Sequence, residues 1–147
     1  MPDSSPRNHV LILSTWQSEN EPIITDASGL DNRDFYFKYG ENTEAYESCG
    51  LTFKNQFFMY GGSKQKTQIS QIVNCELKRI GQLPFDFRLG ACTNVANQKF
   101  YLCFDYYDSR QCYKASSPIG TFQAISKSII DHRKPRIASS EGKIFLN

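Results

Sequence analysis

The chain has 147 residues, enough for one domain, with 39% apolar and 22% charged residues, which excludes disorder as its global state. Seventeen basic against fifteen acidic residues leave a net charge of +2, which excludes the strongly basic footprint of a nucleic-acid binder. Aromatic residues reach 14% while histidine occurs twice, a composition of sheet proteins more than of metalloenzymes.

In chain order, residues 1–9 read as a disordered leader. The apolar run Val10–Leu13 is shorter than the roughly 7–15 residues of a secretory signal core, and Asp3 stands where basic residues belong. No segment approaches the roughly 18 apolar residues of a membrane span, so neither a membrane partner nor a visible export signal is expected. Val10–Ser14, Pro22–Asp26 and Phe35–Lys38 are strand candidates separated by Gly and Asn/Asp turns, within a partial unit over residues 10–45.

Two longer segments then repeat. Ser48–Gly62 and Ala91–Asp105 each lead from a small-residue stretch through a polar turn into an aromatic-aliphatic run, with Cys49 and Cys92 offset by 43 residues. A third onset, Lys143–Leu146, follows Lys99–Leu102 at an offset of 44. The first unit, 46–89, is read as strands Cys49–Phe53, Gln56–Tyr60, Ile69–Leu77 and a weak fourth at Phe85–Phe87. The second, 90–134, is read as Cys92–Ala96, Lys99–Phe104, Gln111–Ala115 and Thr121–Ser126, and residues 135–147 begin a further unit. Cys75 is aligned with Cys112, and Ile80–Leu83 with Ile119–Phe122. Phe122, Ile125, Ile129 and Ile130 stand at helical spacing, which admits a short helical turn over 126–131. Four strands in roughly 40–50 residues is the period of a propeller blade.

The run Phe57-Phe58-Met59-Tyr60 ending in Gly61-Gly62, with a third strand at Ile69–Leu77 and a small-residue opening at Gly90-Ala91, resembles the kelch family of β-propellers. The second unit departs from the pattern, having Phe104-Asp105 at the place of the glycine pair. The resemblance implies an all-β fold, a kelch-like β-propeller segment of about three four-stranded blades. It also implies a non-catalytic binding module for a protein partner. Closed propellers have about 4–8 blades, so the chain reads as part of a longer one, and its open edges predict self-association. Copper-radical oxidases share the fold, but their site needs two His and a pair of Tyr. His9 and His132 flank the repeats without such spacing, so no enzyme, cofactor or metal is expected.

The site candidates follow from residue type. Tyr106, Tyr107 and Arg110 are of the kinds enriched at binding hot spots, in a hairpin that would turn them outward. The basic loop Ser63–Gln68 and the cluster Lys127 with His132–Arg136 read as solvated surface, and Glu44 with Glu47, like Asp105 and Asp108 on either side of the two tyrosines, as surface or turn carboxylates. Gly61-Gly62 lacks both phosphate-loop signatures and reads as a strand exit. Five cysteines leave at least one unpaired. Turn arithmetic lets Cys103 face either Cys92 or Cys112, and the preferred pair is Cys103–Cys112, which would staple a variable hairpin; five reduced core thiols are the alternative. A disulfide would favour an extracellular or cell-surface setting. The second functional reading is a structural component of an extracellular matrix or coat that contacts glycan through surface aromatics.

Overall fold

Short aromatic-aliphatic runs joined by Asn-containing reversals fold into antiparallel hairpins, because two left-handed residues match the twist of the flanking strands. The computed structural model describes residues 37–133 in full and, outside them, the backbone of four strands. In chain order the strands are β1 (His9–Ile12), β2 (Ile23–Asp26), β3 (Lys38–Tyr39), β4 (Cys49–Phe53), β5 (Gln56–Tyr60), β6 (Gln68–Val73) and β7 (Glu76–Gln82). They continue as β8 (Ala91–Val95), β9 (Lys99–Cys103), β10 (Cys112–Ala115), β11 (Gln123–Ala124), β12 (Ile137–Ser140) and β13 (Lys143–Leu146). Among the described residues there is no helix.

Two open sheets organise the fold. One has the order β3-β7-β6-β5-β4 and the other β11-β10-β9-β8. Within each, four consecutive strands form an antiparallel meander, and β3 joins the outer edge of β7 in parallel. β1 pairs with β2, and β12 with β13. The first strands stand side by side, β4 beside β8 and β8 beside β12. Left-handed pairs make the tight reversals: Lys54-Asn55 (φ 48° and 60°), Asn74-Cys75 (50° and 59°) and Ala96-Asn97 (50° and 52°).

The core lies between the two sheets. Leu51, Phe58, Tyr60 and Ile69 of the first meet Phe100, Leu102 and Ala115 of the second. The Phe53 and Phe100 rings meet edge to face at 5.0 Å, Tyr60 and Phe122 at 5.6 Å, and Phe85 stacks on Tyr113 at 3.6 Å. Burial raises the Tyr60 hydroxyl above its ordinary pKa, and that hydroxyl donates to the Pro118 carbonyl at 2.7 Å. The alternation along β5 splits its aromatic run: Phe58 and Tyr60 enter this core, while Phe57 and Met59 face a smaller cluster with Phe37 and Leu77. Each such side chain contributes about 1.5–3 kcal/mol by leaving water.

The 43-residue offset is carried by the hydrogen bonds as well as by the residues. Gly61 N donates to Gln68 O at 3.0 Å, and 43 residues on Phe104 N donates to Gln111 O at 2.7 Å. Gln68 N reaches Gln65 O, and Gln111 N reaches Asp108 O, both at 3.2 Å. The chain then returns over the loop in each unit, with Leu83 N on Thr67 O and Phe87 N on Lys66 O in the first. The second has Ser128 N on Arg110 O and His132 N on Ser109 O.

This pattern corrects several sequence expectations. Ile69–Leu77 is not one strand: Asn74-Cys75 reverse the chain there, so Cys75 is an exposed turn residue and not the counterpart of Cys112. The fourth strand of the first unit is β7, and Phe85–Phe87 lies after it outside any strand. Ile80 belongs to β7, whereas Ile119 sits in a turn closed by Gly120 N on Ser117 O, so these two segments are not equivalent. Residues 126–131 form no helical turn, because their amides at Ser128 and the neighbouring His132 are spent on the β9–β10 loop. Cys92 lies opposite Leu102 and not Cys103, since the β8–β9 reversal falls one residue earlier than expected. His9, assigned above to the leader, opens β1 opposite Asp26. Residues 1–8 lie outside the described residues, as does the 134–136 part of the basic cluster.

Candidate functional site

The loop between β9 and β10, residues 104–111, gathers the three contact candidates. Cys103 and Cys112 are register partners at its neck and are joined as a disulfide, their Cα atoms 4.1 Å apart. Inside the loop Asp105 is 3% exposed, and its Oδ1 accepts the Asp108 amide at 2.8 Å. Burial pushes the Asp105 carboxyl up to about 6, against the opposing pull of the amides bonded to it. Asp108 in turn accepts the Arg110 amide at 3.1 Å and the Lys127 ammonium at 2.6 Å, and the lysine lowers its pKa.

This bracing turns two rings outward. Tyr106 is 65% exposed and Tyr107 46%, and the rings meet edge to face at 5.5 Å. Tyr106 N donates to Arg88 O at 2.7 Å, while the Arg88 guanidinium lies 4.9 Å from the Tyr106 ring centre. A two-toothed ion pair with Glu47 holds that guanidinium in place. Lys66, from the equivalent loop of the first unit, lies 5.7 Å from the Tyr107 ring centre. The Arg110 Nε is 3.9 Å from Asp131, whose Oδ1 also accepts from Ser109 Oγ at 3.0 Å. Next to this contact Ile129 and Ile130 are exposed, Ile129 to 93%. Tyr106, Tyr107 and Arg110 therefore share one surface loop, rimmed by cations and by apolar residues of the returning segment. Cation–π contacts of this kind add about 0.5–1 kcal/mol each at exposed positions, so they orient the rings more than they stabilise the fold.

The corresponding loop of the first unit, 61–67, is held from outside. Glu44 Oε2 accepts the amides of Lys64 at 2.7 Å and Gln65 at 2.8 Å. Those two residues precede Tyr107 and Asp108 by 43 positions, and the amides of Tyr107 and Asp108 are the ones bonded to the Asp105 carboxylate. Gly62 stands at the place of Asp105, and a Cβ there would lie 2.7 Å from Glu44 Oε2. The first unit thus leaves room with glycine for a carboxylate brought by another segment, and the second unit grows the carboxylate from that position. This accounts for the Phe104-Asp105 departure from the glycine pair.

Sequence reasoning missed five of these parts. Glu44 and Glu47, read as surface carboxylates, hold a loop and a guanidinium. Arg88 and Lys66 flank the tyrosines from distant positions, with no local signal. A second disulfide joins Cys49 to Cys92 across the adjoining strands β4 and β8, and its separation of 43 residues equals the repeat offset, the one signal that could have found it. Cys75 is the remaining free cysteine, exposed in its turn. His132 stacks on Phe104 at 4.1 Å, with Nε2 3.0 Å from Ser128 Oγ. Among the described residues no three His, Cys, Asp or Glu side chains converge as metal ligands would. A groove of about 480 Å³ at the β3–β7 edge is lined by Gly40, Glu41, Asn42, Glu76, Lys78 and Arg79. It contains none of the candidates.

No protein-family model matches the chain, and no curated protein matches it.

Proposed function

We propose that this chain is a non-catalytic recognition module of kelch-like β-propeller type, which binds a protein partner through Tyr106, Tyr107 and Arg110. The observation that carries the reading is the pair of exposed tyrosine rings on a loop braced at its neck by Cys103–Cys112 and inside by Asp105. Exposed aromatics beside arginine are the residue types that dominate binding energy. A rigid loop loses little entropy when it docks. The propeller reading is supported by two four-stranded meanders whose first strands lie side by side, with a third hairpin, β12–β13, continuing the series. As an open segment of a longer ring it would pair through its edges, so light scattering of the isolated chain should report concentration-dependent association. A concentration-independent monomer would count against the segment reading.

The partner reading is tested by replacing Tyr107 with a photo-crosslinking phenylalanine analogue, with Lys54 in the β4–β5 turn as the control position. A single protein crosslinked from 107 alone is then purified and titrated against the variants. Tyr106→Ala and Arg110→Ala are each expected to weaken its binding at least tenfold. Equal crosslinking from 54, or unchanged affinity, overturns the assignment. The two disulfides favour a second reading, a structural matrix or coat component touching glycan through the same rings. Binding of purified oligosaccharides that disappears in Tyr106→Ala would select it.

A further inference from the structure

Asp105 is buried and so has no part in the proposed partner contact. It is 3% exposed, and its carboxylate bonds to the amides of the turn that carries Tyr106 and Tyr107. The charged and titratable groups of the loop and of the segments that touch it come from five elements. Asp108, on the same loop, adds like charge. Tyr113, on β10, has its own pKa raised mainly by burial and further by Asp105 and Asp108. Arg88, after β7, is engaged by Glu47 and faces the Tyr106 ring, and Lys66 faces Tyr107. Lys127 is engaged by Asp108 and Arg110 by Asp131, while His132 stacks on Phe104. Among the described residues no cation forms an ion pair with Asp105. The amides are left to offset the loss of water alone.

We propose that the 104–111 loop is a pH-responsive clasp, closed over Asp105 when its carboxyl is protonated and loosened when it ionises. Burial with no cation beside it sets the direction, against the opposing pull of the amides. Ionised and closed, the carboxylate is held from water with amide bonds as its compensation; ionised and open, it is hydrated. Protonated, it loses far less by burial than the ionised form does, and its carbonyl oxygen still accepts the turn amides. The closed loop therefore holds the proton more tightly than the open one, with the carboxyl near 6 when closed and near the ordinary 3.8 when open. Closure weakens as pH rises through that interval. Mild acidity fixes Tyr106 and Tyr107 in their displayed positions, and the consequence for recognition rests on the function proposed above.

The clasp is tested without any partner, so failure to find one leaves it standing. Amide hydrogen exchange of Tyr107 and Asp108 is measured at pH 5 and pH 7.5, with Lys64 and Gln65, whose amides do not bond Asp105, as internal references. After correction for intrinsic rates, the opening constant of the 104–111 amides should rise about tenfold between the two pH values, from the two-pKa linkage. The reference amides should not follow. Asp105→Asn, which cannot ionise, should abolish the rise. Because that variant could misfold, the Asp105 carboxyl carbon is also titrated by NMR in the unmodified chain. A midpoint well above that of exposed aspartates supports the clasp. A flat pH response at 107 and 108, an equal response at 64 and 65, or an ordinary Asp105 midpoint overturns it.

Discussion

Loops 61–67 and 104–111 reverse the chain at equivalent places and keep the same backbone hydrogen bonds, yet they are built from different residues. In the first, Gly61 and Gly62 make space, and the bracing carboxylate comes from Glu44 outside the loop. In the second, Phe104 takes the left-handed position of Gly61 (φ 57° against 64°), and Asp105 supplies the carboxylate itself. The two solutions differ in what they leave exposed. The first displays the polar run Ser63–Lys66, and the second displays two tyrosines over a buried acid. What the fold conserves between its halves is the pattern of amides to be satisfied. The residue that satisfies them is free to change, and with it the character of the surface.

The covalent ties give the largest expected contrast. Cys49–Cys92 closes 43 residues and links the two sheets, whereas Cys103–Cys112 is separated by 9 and ties one loop. On chain-entropy grounds the double serine variant of the first should cost about 4 kcal/mol and that of the second about 2.6 kcal/mol. Urea unfolding of both variants checks the order. Equal losses would mean that the two units do not depend on their cross-link in the way the offset implies.

Exchanging the parts of the loops comes next. Gly61→Ala places a Cβ 2.1 Å from the Phe87 carbonyl oxygen at a positive φ, and about 3 kcal/mol or more should be lost. Phe104 tolerates the same backbone because the chain at His132 offers a ring to stack on, where Phe87 offers a carbonyl. Phe104→Gly should therefore cost stability on balance, because the lost burial outweighs the relief of its left-handed backbone. If Gly61→Ala proved neutral in thermal unfolding, the equivalence of the two positions would fail.

The same comparison explains what could be read from the residues. The strands at Cys49–Phe53 and Gln56–Tyr60 were legible because an apolar run flanks an Asn-containing turn, and they are β4 and β5 as expected. The split of Ile69–Leu77 was not, since Asn74-Cys75 interrupt apolar residues that continue on both sides. The helical spacing of Ile125, Ile129 and Ile130 misled because these side chains are exposed, and spacing marks a helix only when it marks a buried face. Tyr106, Tyr107 and Arg110 were visible by type and position in a hairpin. Their neighbours were hidden: Glu47, Lys66 and Arg88 reach this loop from other segments, and no local pattern announces a contact made across the fold.

The bracing carboxylates should respond differently to substitution. Glu44→Ala frees two amides of a partly exposed turn, which water can reclaim, so the loss should resemble that of a helix cap, about 1 kcal/mol. Asp105→Asn acts through pH. Its carboxyl sits above the unfolded value of 3.8, so the folded chain binds the extra proton and loses this advantage as pH rises toward and past 6. The Tm of Asp105→Asn relative to the unmodified chain should therefore climb from pH 4 to pH 7.

The smallest expected effect separates display from structure. Tyr106 is exposed, and its main stabilising contact is the Arg88 guanidinium, so Tyr106→Ala should change unfolding free energy by no more than about 0.5–1 kcal/mol. Its counterpart one unit back is Ser63, which shows that the scaffold does not need a ring at this position. A stability loss of several kcal/mol on removing the ring would make Tyr106 a structural residue and take away the basis for reading it as a contact. A small loss, measured alongside the large ones at Gly61 and the cysteines, leaves the ring with no duty in the fold. The two loops would then differ at this position for what they present to other molecules and not for how they hold themselves together.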